Sequence, residues 1–115
     1  MDKMTGTQSQ IEWAEQIKPR VGIEFDRVAK ALADVARHQR EQARRDTNAV
    51  IAILHEKRAE VMAKPESGYF IREWQELRDQ VRQLIAQDSR YQAIKAGRIL
   101  RRNLNNLNQV TLAGG

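Results

Sequence analysis

The chain has no cysteine. That excludes disulfide stapling, thiolate catalysis and cysteine-ligated metal. Aromatic residues are scarce, with two Trp, two Tyr and two Phe in 115 residues, while 30% of the residues are charged. No apolar run approaches the roughly 20 residues that span a bilayer. Met1 to Gln10 carries neither the basic nor the apolar region of a secretory signal. A cytoplasmic protein without membrane association is the expectation. The β-branched and aromatic runs that strands need are missing as well.

Catalytic chemistry is missing from the pattern too. His38 and His55 are far apart, and His55-Glu56 is not followed by the second histidine of a zincin helix. The six glycines are scattered, so neither a phosphate loop nor a nucleophile elbow can be assembled from neighbours. Glu24, Asp26, Glu56 and Glu60 each have a nearby Lys or Arg, as solvated ion pairs do. Di-metal bundles instead use inward Glu-x-x-His motifs. No enzyme, no cofactor and no metal site is expected.

What the chain does contain is helix-forming material: Gln, Glu, Lys, Arg and Ala dominate. Its length suits one domain. With few large apolar residues, long amphipathic helices must complete their core by pairing with each other or across chains. The expected fold is therefore all-α: a long-helix bundle or helical hairpin with a coiled-coil-like seam, assembled as a homo-oligomer.

Residues 1–8 read as a flexible lead-in. Ser9 and Glu12 form a Ser-x-x-Glu capping box for a helix over about 9–18. Pro19 then sets either a kink or a fresh start. From Arg20, Val21, Phe25, Val28, Leu32 and Val35 recur at spacings of 4, 3, 4 and 3, a narrow seam. The seam turns polar at Gln39, Gln42 and Asp46 before Val50, Ile53, Leu54 and Val61 resume it. One helix over 20–63 is favoured, because Gln39 to Arg45 holds no Gly or Pro. A break at residues 46–48, capped by Asp46 or Thr47, is the alternative. Lys64 to Gly68 is the clearest loop. A helix over 68–87 follows, with Phe70, Ile71, Trp74, Leu77, Val81, Leu84 and Ile85 on one face. A last helix runs over about 89–108, opened by Ser89 and Gln92. Residues 109–115 read as a flexible tail. Trp74 is the first choice for an interface anchor.

Charge is distributed unevenly. All 15 acidic side chains lie within residues 1–88, where basic ones balance them. Beyond Asp88 there is no carboxylate side chain, and Arg90, Lys95, Arg98, Arg101 and Arg102 supply the whole net charge of +5. On a helical wheel Ala93, Gly97, Leu100, Leu104 and Leu107 fall within about 80° of one another. The arginines, with Asn105 and Asn108, fill a broad neighbouring face. Gly97 costs about 1 kcal/mol in helix propensity, and in the apolar stripe it suggests close approach of another helix. Arg contacts phosphate or guanine, and Asn pairs with the adenine edge.

Two binding roles are thus open for Arg90, Lys95, Arg98, Arg101, Arg102, Asn105 and Asn108: DNA or RNA as partner, or docking on an acidic protein as an adaptor or assembly subunit. The bland alternative is a solvated basic face favoured by the helix dipole. A second basic patch, Arg37, Arg40, Arg44 and Arg45, is interrupted by Glu41 and followed by Asp46.

Overall fold

The computed structural model describes residues 3–114, and the side chains of residues 3–103. Within them are five helices and no strand: α1 (Gln8–Ala36), α2 (Glu41–Met62), α3 (Ser67–Glu73), α4 (Leu77–Ala86) and α5 (Ser89–Gly114). The chain divides into two compact units, Met1–Ile85 and Ala86–Gly115.

In the first unit α1 and α2 form an antiparallel hairpin. Asp26 pairs with Arg58, and further along Thr47 Oγ1 donates to Gln39 Oε1 at 2.6 Å. The two helices come close beside Gly22, where an added Cβ would stand 2.9 Å from Arg58 Nη2. α1 is one helix through Pro19. The missing N–H removes one backbone bond and costs about 3 kcal/mol. Burial of Ala14, Val21 and Phe25 on both sides of it offsets that loss, at about 1.5–3 kcal/mol for each large side chain.

The cap lies two residues earlier than expected. Thr7 Oγ1 accepts from the Gln10 N–H at 3.2 Å, and Gln10 Oε1 accepts from the Thr7 N–H at 3.0 Å. This is the reciprocal box of the expected type, and Ser9 lies within the helix. The seam also shifts. Val21 and Phe25 are buried, Val28 and Leu32 are half-buried, and Val35 is exposed. The buried line runs instead through Ala29 to Ala36. A straight helix with 3.6 residues per turn drifts off a strict 3.5 repeat in this way.

The hairpin turn falls at residues 37–40, neither absent nor at 46–48. Its polar residues are the stitching. The Arg44 Nε–H donates to the Ala36 carbonyl at 3.1 Å, and Gln42 Nε2 donates to Asp46 Oδ1 at 2.8 Å. Asp46 and Thr47, read from sequence as caps, are buried inside α2. Glu41 takes a φ of 35° at the start of α2, a left-handed conformation that a residue with a Cβ adopts only under constraint.

The segment expected as one helix over 68–87 is two. Trp74 leaves helical geometry at φ −115°, ψ 36°. This places its ring 5.7 Å from Phe25. Trp74 is 2% exposed, so it is a core residue and not the interface anchor expected from sequence. Phe70, beside it in the core, is met edge-on by Tyr69 at 5.2 Å. Burial pushes the Tyr69 hydroxyl up from its ordinary pKa. Glu24, buried on α1, receives the Arg27 Nε–H at 2.9 Å and Nη2 at 2.6 Å. That hydrogen bonding holds its carboxyl below the usual range.

The lead-in is not free either. The Thr5 N–H donates to the Pro65 carbonyl at 2.7 Å, and the Ser67 N–H donates to the Thr5 carbonyl at 3.0 Å. Residues 5–7 therefore clasp the α2–α3 loop and cap α1. Gly6 has a φ of 132°, and a Cβ there would run into Ser67 Oγ. Gly6→Ala is expected to lower stability by about 2 kcal/mol through backbone strain and this clash. Circular-dichroism melting should fall by about 8–16 °C, at the 4–8 °C per kcal/mol of a small domain. An unchanged melting temperature would mean that the clasp carries no stability.

Candidate binding helix

The second unit is essentially α5 and its entry. Asp88 accepts from the Arg90 N–H at 2.8 Å and the Tyr91 N–H at 3.3 Å, and Gln92 Nε2 donates back to the Ala86 carbonyl at 2.9 Å. Asp88 thus fills the capping role expected of Ser89, and it suits the positive end of the helix dipole. The same carboxylate holds the Arg90 side chain, with Nε at 3.1 Å and Nη2 at 3.0 Å. Arg90 is therefore matched by a counter-charge, unlike the solvent-facing contact expected from sequence. Asp two residues ahead of Arg was the signal for this.

Of the remaining expected contacts, Lys95, Arg101 and Arg102 are exposed, and Arg98 is half-buried. Asn105 and Asn108 lie beyond the residues whose side chains are described. α5 itself continues to Gly114, past the helix end expected at 108.

The wheel is turned relative to expectation. The sequence places the Ala93–Leu100 stripe inward. In the structure Ala93 is exposed, Leu100 is 60% exposed and Ile99 is 49% exposed. Tyr91, Ile94, Gly97 and Arg98 are the half-buried positions. Nothing crowds Gly97: an added Cβ would meet only Arg101 Nη1, at 3.6 Å. Gly97→Ala should therefore raise the stability of α5 by about 1 kcal/mol of helix propensity. Amide exchange in residues 93–103 should slow about fivefold. Faster exchange would show that the glycine serves a contact.

The second patch is largely tied to the hairpin turn. Arg37 is ion-paired with Asp34, Arg44 binds the Ala36 carbonyl, and Arg45 Nη2 donates to Gln42 Oε1 at 3.2 Å. Arg40 is the N-cap residue of α2 and is exposed. Trp13, by contrast with Trp74, is 57% exposed. It lines a shallow cleft of about 270 Å³ with Ile17, Arg20, Ile71, Trp74 and Leu77.

Among the described residues no three His, Asp or Glu side chains gather as a metal site requires. No described helix is long and apolar enough to cross a membrane. The chain matches no family model, no curated protein and no solved structure.

Proposed function

We propose that this is a non-catalytic binding protein whose α5 docks on the phosphate backbone of nucleic acid. One observation carries the reading: the whole +5 excess lies beyond Asp88, in a helix with no acidic side chain. Lys95, Arg101 and Arg102 are exposed there. Such a helix offers fixed cations to a polyanion, and binding releases the counterions condensed on the phosphates.

Fluorescence polarisation against duplex and single-stranded DNA and RNA tests this. We take three to four of Lys95, Arg98, Arg101 and Arg102 as the phosphate contacts. On duplex DNA, log K should then fall with log salt at a slope of about −2.7 to −3.6. No binding to any of these even at 50 mM salt, where phosphate contacts are strong, would refute the reading.

A second reading rests on a different observation. Ile99 and Leu100 are exposed on the same helix as the cations, and apolar surface rimmed by charge also suits a protein partner. In that case α5 would seat on an acidic protein, and the chain would act as an adaptor or assembly subunit.

A further inference from the structure

We propose that the cleft beside Trp13 takes one unstacked base of a single-stranded nucleic acid. The inference rests on the nucleic-acid reading of α5 and narrows it, because a base paired inside a duplex has no ring face to offer.

The cleft is built wholly within the first unit, from residues between Trp13 and Leu77. On α1, Trp13, Ile17 and Arg20 recur at intervals of 4 and 3, so they share one face of the helix. α3, the turn after it and the start of α4 supply Ile71, Trp74, Gln75 and Leu77. Trp74 is held in the core against Phe25. Trp13 is not, and its 57% exposure is a lower bound for the first unit taken alone. Most of that indole is left for something else to cover.

Three features select the occupant. The first is size: about 270 Å³ lies just below the roughly 300–1,000 Å³ of pockets for drug-sized ligands, which suits one planar ring. The second is charge. Arg20 is the one charged residue lining the cleft, and no carboxylate lines it. Arg20 is exposed and has no ion-pair partner among the described residues. It lies seven residues beyond Trp13, about 10 Å along the axis, and its long side chain reaches toward the phosphate of a base stacked there. The third is Gln75, whose Nε2 makes only a 3.5 Å contact with the Ile71 carbonyl. Its amide offers both donors and an acceptor, as a base edge requires. A nucleotide joins a ring, an adjacent negative charge and a polar edge in one ligand. An apolar side chain of a protein partner would match the ring alone. Unpaired bases are held by stacking on aromatic side chains in this way.

Trp13 reports on the cleft directly, because the other indole, Trp74, is 2% exposed. Single-stranded oligothymidylate should quench the long-wavelength emission of Trp13, and a duplex of equal length should not. In fluorescence polarisation Trp13→Ala should weaken single-strand binding about 5- to 140-fold, the loss of one stacked base. Duplex binding should be unchanged, and Trp13→Phe should keep most of the single-strand affinity. Arg20→Gln should reduce the salt slope on single strands by about 0.7, the share of one phosphate. Oligothymidylate that binds by polarisation but leaves Trp13 emission unchanged would overturn this inference and spare the role of α5. Absence of nucleic-acid binding altogether would overturn both. Equal quenching by the duplex would overturn the choice of an unpaired base. Quenching by an acidic aromatic peptide and not by oligothymidylate would make the cleft a protein site instead.

Discussion

Replacing Trp74 with alanine is expected to cost about 3–5 kcal/mol, the range for truncating a buried aromatic. The indole is 2% exposed and lies 5.7 Å from Phe25, itself 1% exposed. A small domain has about 5–15 kcal/mol of total stability, so the loss should lower the melting temperature by more than about 12 °C or leave the chain unfolded. Trp74→Phe should recover most of it. The indole Nε1 makes no well-formed hydrogen bond and only approaches the Tyr69 hydroxyl, so substituting phenyl removes ring area and at most one weak polar contact. Tryptophan fluorescence separates the two indoles. Trp13 is 57% exposed and should emit at solvated wavelengths, while the blue-shifted component should vanish in both Trp74 variants. A Trp74→Ala protein that melts like the parent but loses its oligomeric state would return Trp74 to an interface.

Trp74 also shows where the sequence stopped being legible. Its face of Phe70, Ile71, Trp74 and Leu77 has helical spacing, so one helix over 68–87 was the local expectation. The break at residue 74 carries no Gly or Pro signal. It is required only because Phe25, almost fifty residues away, stands where the indole packs. The hairpin turn follows the same logic. Gln39, Gln42 and Asp46 were visible as polar intrusions into a seam, but their role in closing a turn depends on Arg44 reaching the Ala36 carbonyl across the bend. All-α character and a loop after α2 were legible because they rest on composition and on Pro65, but the loop ends earlier than expected, since Ser67 and Gly68 already lie in α3. The clasp of Thr5 on Pro65 and Ser67 was not, since a two-bond pairing leaves no periodicity to detect.

The candidate site was legible in charge and not in orientation. Counting carboxylates is enough to find the segment beyond Asp88. A helical wheel ranks faces by hydropathy, however, and hydropathy assigns the leucine stripe to the core. Leu100 is instead exposed, while Ile94 and Arg98 are half-buried. The long stem of arginine can cover apolar surface while its head reaches water, so a half-buried Arg98 is compatible with a cationic outer edge.

Reversing the exposed cations should abolish nucleic-acid binding while leaving the fold in place. Lys95→Glu, Arg101→Glu and Arg102→Glu together take the net charge from +5 to −1. Each phosphate contact is worth about eightfold at 0.1 M salt under counterion release. Losing three predicts a fall of about 500-fold in affinity before the new carboxylates add repulsion. The three positions are exposed, and substitutions at such sites usually cost little stability. Far-ultraviolet ellipticity should therefore match the parent. Binding that survives the triple change would move the site to the hairpin turn, where Arg40 is exposed while Arg37, Arg44 and Arg45 each have a partner there. If the parent binds no nucleic acid but retains an acidic protein partner that the triple variant loses, the adaptor role replaces the polyanion role, on the same three residues.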